Sequence, residues 1–331
     1  MMYGKIIRSP FFYVGDKYWL MPQLRQLFPR GVSTYVEPFA GGGSSFLNTS
    51  AERYIVNDIN FYVVELHKAL TSYVGRSEEL FQRLYDLIDR YGLSCSFRKS
   101  CVPVELKRKY VKTYYAHYNK DAYLRLRADF NESHDFLILY LLLIYGFNHM
   151  IRFNRSGQFN LPVGNVDFNK NVHDAICGYL NFMERNEVTF YNLDFAQFID
   201  QLNLDESSYV YFDQPYLISD SEYNKSWGES EERRLCECLD ELDRKGVRFG
   251  VTNLVSHKGV SNDIFLSWAR KYFCYDISSN YISFNDNTIK KDSREVFVTN
   301  YGNAQSKTAV ILDNVKKPRK NPELYQMCLA F

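Results

Sequence analysis

Seven short runs of β-branched and aromatic residues, each bounded by turn residues, constrain this chain more than any other feature. Two come early, "STYVEPF" (33–39) and "RYIVND" (53–58). Five come late: "EVTFYN" (187–192), "YVYFDQ" (209–214), "VRFGVTN" (247–253), "YFCYDI" (272–277) and "REVFVTN" (294–300). Helical patterns separate several of them, notably "SEERRLCECLDELDRKG" (230–246), with acids in its early turns and Gly246 as its stop. Strands alternating with helices predict an α/β chain built on a mainly parallel, doubly wound sheet of seven strands.

About 130 residues of different character separate the two groups. The stretch is helical in pattern and rich in Tyr, and its segment 98–127 carries nine Lys or Arg against two acids, a local net of +7 in a chain whose total is +1. The overall charge excludes a uniformly basic protein, so affinity for nucleic acid has to come from patches such as this one. A charge run of this kind is either the solvated face of long helices or a phosphate-facing surface on an inserted domain. The apolar run "FLILYLLLIYGF" (136–147) falls short of the ~20 residues of a membrane span and reads as a buried helix. Seven cysteines, an odd count without framework spacing and with no secretory signal ahead of them, point to a reducing cytoplasm; neither Cys236/Cys238 nor Cys95/Cys101 has zinc-ligand spacing, so no metal is expected. The stretch from 304 onward, with "KKPRK" (316–320), reads as a flexible basic tail.

Three stretches carry chemistry. In "YVEPFAGGGSSFLN" (35–48), Gly41, Gly42 and Gly43 follow a strand and precede a predicted helix, so the backbone can turn tightly and approach a ligand. The loop lacks the Lys-Ser/Thr of a P-loop, which disfavours a nucleoside triphosphate. Asp58 ends the next strand, where an acid can accept from ribose hydroxyls; the plainer reading is a tight turn followed by a helix-capping Asp. In "VTFYNLDFAQFI" (188–199), Asp194 can accept from an adenine amino group beside Phe195, or it can cap a helix while Phe195 fills the core. The third stretch is "VYFDQPYLIS" (210–219), where an apolar strand runs into an acid, a proline and a tyrosine.

Together, and in order over most of residues 9–302, these stretches resemble the Dam-type (D12-class) DNA adenine-N6 methyltransferases. "SPFFYVGDKYWL" (9–20) is similar to the family's first cofactor motif, with Asp16 where a second glycine is usual. "EPFAGGGSSFLN" resembles the glycine motif for S-adenosyl-L-methionine, "NDIN" the ribose motif, and "LDF" the adenine-binding step. "GFNHMIRFNRSGQFNLPVG" (146–164) is similar to the signature leading out of the target-recognition domain, "REVFVTNYG" to the closing strand, and "DQPY" to a catalytic tetrapeptide that is usually Asp-Pro-Pro-Tyr.

The resemblance implies a Rossmann-like seven-stranded methyltransferase sheet formed by 1–62 plus 171–303, with an inserted, mainly helical target-recognition domain at 63–170 and a tail at 304–331. It assigns S-adenosyl-L-methionine to Tyr13, Gly15 and Lys17, to Pro38, Phe39, Gly41, Gly43, Ser44 and Ser45, and to Asp58, Asp194, Phe195 and Asp213. Catalysis falls to Asp213, Gln214, Pro215 and Tyr216. Double-stranded DNA falls to Lys107, Arg108 and Lys109 and to Asn148, Arg152, Asn154 and Arg155, with one arginine of "IRFNRSG" reading guanine or bracing the loop. The implied protein is cytoplasmic, of bacterial, phage or prophage context, a monomer or weak dimer, and needs no metal or membrane. GATC is the familiar Dam-type site, and sites differ within the class.

Adenine N6 is a poor nucleophile and lies inside the duplex, so the base has to be flipped out and its amino group held with the lone pair facing the donor methyl. The implied roles follow: Asp213 accepts an amino N–H and stabilises positive charge developing on nitrogen, and Tyr216 stacks on the base, worth about 1–3 kcal/mol. Gln214 departs from the usual proline. Pro215 still biases it toward extended backbone, but a fixed φ is lost, about 1 kcal/mol of preorganisation, and a side-chain amide is gained that can compete for Asp213 or the base. The expectation is activity reduced or retuned, with Gln214→Pro changing the single-turnover rate. The alternative is a DNA-binding pseudo-methyltransferase in which Gln214 has ended catalysis; a third reading moves the substrate to RNA or another amino group.

Overall fold

The computed structural model describes residues 5–99, 102–219, 226–278 and 293–302. The predicted basic tail and Cys101 lie outside them. The chain divides into two compact units, the first ending at Phe212 and the second starting at Asp213. Ten α-helices and eight strands occur among the described residues, a mixed α/β chain.

The first unit contains β1 (Val32–Glu37), β2 (Ala51–Asn57), β3 (Glu187–Tyr191) and β4 (Ser208–Phe212). They pair in parallel in the order β3-β2-β1-β4, in register from Thr34 opposite both Arg53 and Ser208. β4 reads "SYVYF" and every residue of it is buried, as a parallel strand covered on both faces requires. Ahead of β1 stands α1 (Met21–Leu27), and after β2 comes α2 (Phe61–Thr71), whose Asn60 cap accepts from the Tyr62 N–H. Between α2 and β3 lie α3 (Ser77–Tyr91), α4 (Val104–Lys109), α5 (Tyr114–Ser133), α6 (Phe136–Tyr145) and α7 (Lys170–Arg185). The apolar run is α6, started by Asp135, whose carboxylate accepts from the Leu137 and Ile138 amides. No helix among the described residues is long and apolar enough to cross a membrane. A short α8 (Phe195–Asp200) precedes β4.

In the second unit, α9 (Glu229–Arg244) ends just before Gly246 at φ +71°, as the glycine stop predicts. β5 (Arg248–His257), β7 (Phe273–Ile277) and β8 (Arg294–Thr299) follow, with α10 (Asp263–Ala269) between β5 and β7. β8 runs antiparallel to both β5 and β7. All seven predicted strands are present. An eighth, β6 (Val260–Ser261), folds back on the end of β5 through Lys258 and Gly259, both at positive φ, the backbone of a two-residue hairpin turn.

One local expectation changes. The glycine loop leads not into an α-helix but into a single 3-10 turn, Phe46–Asn48. The Glu37 carboxylate takes the Phe46 N–H at 3.0 Å, and the Asn48 side chain bonds the Ile7 N–H and carbonyl and the Ser44 carbonyl, each at 2.8 Å. These side-chain bonds compete with helical propagation and stop it after one turn.

Candidate functional site

The residues singled out in the first unit gather on the glycine loop. Asp58 Oδ2 accepts from the Gly41 N–H at 2.8 Å and Oδ1 from the Asn60 N–H at 2.8 Å. Burial raises the Asp58 pKa, and the two N–H bonds pull it back. The N-terminal segment lies over the same loop: Ser9 Oγ donates to the Gly42 carbonyl, and a Cβ on Gly41 would stand 3.5 Å from the Tyr13 ring. Phe39 and Phe195 pack at 5.2 Å between ring centroids, and Phe39 is 6.3 Å from Phe212 at the end of β4. Pro38 and Ser45 are buried, Lys17 is buried at the start of the turn into α1, and Gly15 is exposed at φ +81°. Asp194 caps α8, its Oδ1 accepting from Ala196 at 3.0 Å, and Phe195 is buried. Ser44 Oγ is buried and has no hydrogen-bond partner among the described residues.

Several residues that the sequence reading did not single out hold this loop. Glu37 grips it from β1. Asn57 joins the exits of two strands, its Nδ2 donating to the Pro38 and Leu193 carbonyls at 2.9 and 3.0 Å. His67 lies behind it: Nε2 is 3.0 Å from the Gly41 carbonyl, Nδ1 is 2.9 Å from Tyr179 Oη, and the ring stacks on Phe190. A carbonyl can only accept, so Nε2 carries the proton and Nδ1 accepts from the tyrosine. The only sequence signal for His67 is a histidine on the apolar face of α2.

Desolvation pushes the His67 pKa down from 6.5 to about 4, against the raising effect of the Gly41 hydrogen bond. The unfolded chain therefore binds a proton that the folded one refuses in that window, and stability falls as pH drops from about 6.5 toward 4. We expect this side chain to account for about 3 kcal/mol of lost stability over that range. Urea unfolding of the wild type and of His67→Gln across pH 7 to 4 checks it; parallel curves refute it.

The second unit carries the tetrapeptide. Asp213 is the first residue after β4 and is partly exposed. Thr252 Oγ1 on β5 donates to Asp213 Oδ1 at 3.2 Å. Gln214 is 2% exposed, and its Nε2 donates to the Thr252 carbonyl at 3.0 Å. The Gln214 amide thus donates to the Thr252 backbone, and among the described residues no bond from it to Asp213 is seen. Tyr216 is largely buried and donates its hydroxyl to Glu295 on β8, itself 3% exposed, which anchors the far end of the ring. Pro215 is partly exposed between them.

The candidate DNA contacts separate by geometry. Residues 146–164 form a hairpin with antiparallel bridges at Gly146/Val163 and Phe153/Phe159. Its neck is tight: the Gly164 N–H donates to the Tyr145 carbonyl at 2.7 Å, and a Cβ on Gly164 would meet the Gly146 carbonyl oxygen at 2.5 Å. Asn131 on α5 bonds both the N–H and the carbonyl of Phe159, and Phe153 stacks on Tyr62 at 4.1 Å. Arg152 is the brace, with Nε on Asn160 Oδ1 and Nη2 on the Asn160 carbonyl, both at 2.9 Å. Asn154 builds the turn, its Oδ1 accepting from Ser156 and Gln158. Arg155 is exposed at the tip, and Asn148 is exposed at φ +54°. Of the basic segment, Arg98 pairs with Asp89, and Arg125 and Arg127 donate to the Tyr91 and Leu161 carbonyls. Arg108 and Lys109 are exposed on α4 and Lys107 is half-buried, with the ammonium groups of Lys107 and Lys109 lying over Tyr114 and Tyr110.

The family described as D12 class N6 adenine-specific DNA methyltransferase matches residues 13–282. Type II methyltransferase M.FokI of Planomicrobium okeanokoites is 32% identical over 305 residues, covering 90% of this chain and 43% of that protein. Modification methylase StsI of Streptococcus sanguinis is 32% identical over 307 residues, again 90% of this chain and 43% of the relative. DNA adenine methylase of Escherichia coli K12 is 30% identical over 210 residues, 62% of this chain and 63% of that one. The chain thus spans less than half the length of the first two relatives.

Proposed function

We propose that this chain, which belongs to the D12 class N6 adenine-specific DNA methyltransferase family, transfers the methyl group of S-adenosyl-L-methionine to the N6 amino group of adenine in double-stranded DNA. The observation that carries the reading is the Asp213 carboxylate, set at the exit of β4 and bonded by the Thr252 hydroxyl, with the Gln214 amide donating to the Thr252 carbonyl.

The glycine loop fits the cofactor. Its Ser44 hydroxyl is buried without a partner among the described residues, and Asp58 retains lone pairs beyond those that Gly41 and Asn60 occupy. Tyr13, Gly41, Gly43, Ser44 and Asp58, with Phe39, Asp194 and Phe195, would hold it, and Pro38, Ser45, Gly15 and Lys17 would shape the approach. When bound, S-adenosylmethionine supplies an electrophilic methyl group on a sulfonium.

The remaining work belongs to the chain. Asp213 accepts an amino N–H from the adenine and stabilises the positive charge that develops on N6. The backbone of Gln214-Pro215 presents the second acceptor, so the lone pair is directed rather than merely near. Tyr216, its hydroxyl anchored on Glu295, stacks against a base that has left the helix. Residues 63–170 act as the target-recognition domain inserted between 1–62 and 171–303, with Lys107, Arg108 and Lys109 on phosphates and Arg155 at a base edge.

Incubation of DNA with cofactor labelled on the methyl group, followed by nucleoside digestion, tests the reading. Label in N6-methyladenine supports it; cofactor binding without transfer to any DNA assigns a pseudo-enzyme, and ribonuclease-sensitive label assigns RNA. Long-read sequencing of DNA from expressing cells reports the site. At that site Arg155→Ala lowers kcat/KM about 10- to 100-fold and relaxes the choice at one base pair, the size of one bidentate arginine contact. Competition between cognate and singly altered duplexes measures this, and an unchanged preference removes Arg155 from the reading interface.

A further inference from the structure

We propose that Thr252 and Gln214 form a positioning pair that sets the Asp213 carboxylate, so that glutamine replaces the usual proline with an anchor of a different kind; the inference rests on the methyl-transfer reading above. One residue of β5 holds two consecutive residues of the tetrapeptide by bonds of opposite polarity. The Thr252 hydroxyl donates to Asp213 Oδ1 at 3.2 Å, and the Thr252 carbonyl accepts from Gln214 Nε2 at 3.0 Å. The two bonds and the Asp213–Gln214 backbone close a ring, which restrains both the direction of the carboxylate and the backbone of the residue after it.

The anchor itself is stiff. Thr252 is fully buried, lies mid-strand opposite Phe297 of β8, and is β-branched, so its hydroxyl has few directions available. Gln214 adds a second sign of purpose. Its Nε2 is satisfied, whereas its Oε1 is buried with no partner among the described residues. A buried unsatisfied acceptor costs stability, and a long amide side chain loses rotamer freedom when fixed. A proline would incur neither cost, and it would lack the donor that ties the tetrapeptide to β5.

Because the pair acts through Asp213, its loss should appear in the chemical step and not in cofactor affinity. Single-turnover methyl transfer at saturating DNA and cofactor is measured alongside the cofactor Kd and the unfolding midpoint. Thr252→Val keeps the carbonyl and the side-chain shape but removes the donor; it slows transfer about tenfold with Kd unchanged, as expected for loss of a hydrogen bond to a charged group. Thr252→Ser restores most of the rate. Gln214→Met, of similar length without a donor, slows transfer comparably, and the double variant is no slower than the worse single one, because the ring opens only once. Gln214→Pro is slower than wild type.

Folded Thr252→Val and Gln214→Met proteins with wild-type rates overturn the proposal, as does a Gln214→Pro variant faster than wild type or full additivity in the double variant. Asp213→Ala in the same assay separates the two failures. If it is inactive while the pair variants are normal, only the positioning role falls; if it is fully active, the methyl-transfer reading falls with it.

Discussion

On the proposed methyl-transfer reading, Asp213→Ala is expected to reduce the single-turnover rate by about 10²- to 10³-fold, the usual consequence of deleting one preorganised group that stabilises transition-state charge. The carboxylate is the one anionic group of the tetrapeptide, and the Thr252 hydroxyl that orients it cannot take over its charge. Cofactor affinity changes within a few fold, because the hydrogen bonds that shape the glycine loop come from Ser9, Glu37, Asp58 and His67. Asp213→Asn divides the effect. An amide of the same size keeps an acceptor oxygen for the amino group but not the charge, so its rate falls between the two if charge stabilisation and positioning both contribute. Rapid-quench assays with labelled cofactor measure all three proteins. An alanine variant within threefold of wild type would mean that Asp213 is the end of a strand and nothing more.

Gly43→Ala is the most damaging small substitution expected in the first unit. Gly43 has φ +82°, where an L-residue costs about 1–2 kcal/mol. Its Cβ would also stand 2.8 Å from Phe46 Cζ and 3.1 Å from His67 Cε1. Phe46 is fully buried and ringed by His67, Phe182 and Phe190, so it cannot swing away, and overpacking adds about 1–3 kcal/mol. The sum is about 2–5 kcal/mol of stability and at least a tenfold loss of cofactor affinity, since the loop that yields is the one proposed to hold the cofactor. Gly15→Ala is the control: its φ is +81°, yet nothing stands within 4 Å of the added carbon. Urea unfolding of both variants separates strain from crowding, and equal losses would show that the Phe46 ring does give way.

What was legible in the sequence follows from the range of the forces involved. Strands β1 to β5, β7 and β8, the buried helix α6 and the glycine stop of α9 are written in neighbouring residues, where side-chain period and turn chemistry act. The hairpin that makes β6 was missed because Lys258-Gly259 is a weak turn signal beside the usual Asn-Gly. The predicted helix after the glycine loop failed because Glu37 and Ile7, nine and 41 residues from their partners, take its hydrogen bonds. Distance in sequence also hid Thr252, 39 residues from Asp213, and Glu295, 79 from Tyr216. By pattern Thr252 is an ordinary strand residue and His67 an ordinary core histidine. Arg152 and Arg155 are the same residue type three positions apart, and only the hairpin that one braces and the other tops tells them apart.

Among the described residues that hairpin is fastened at its base: glycines at the neck, Asn131 on Phe159, Arg152 on Asn160 and the Phe153–Tyr62 stack. The tip, 154–157, is held by Asn154 and Gly157 bonding within the loop itself. Such a tip is a replaceable cassette. Substitution of the exposed Arg155 and Ser156 side chains leaves the bonds of the fastened base in place. If the tip reads DNA as proposed, its two positions not used in building the turn, 155 and 156, are those at which recognition could change at little cost to folding.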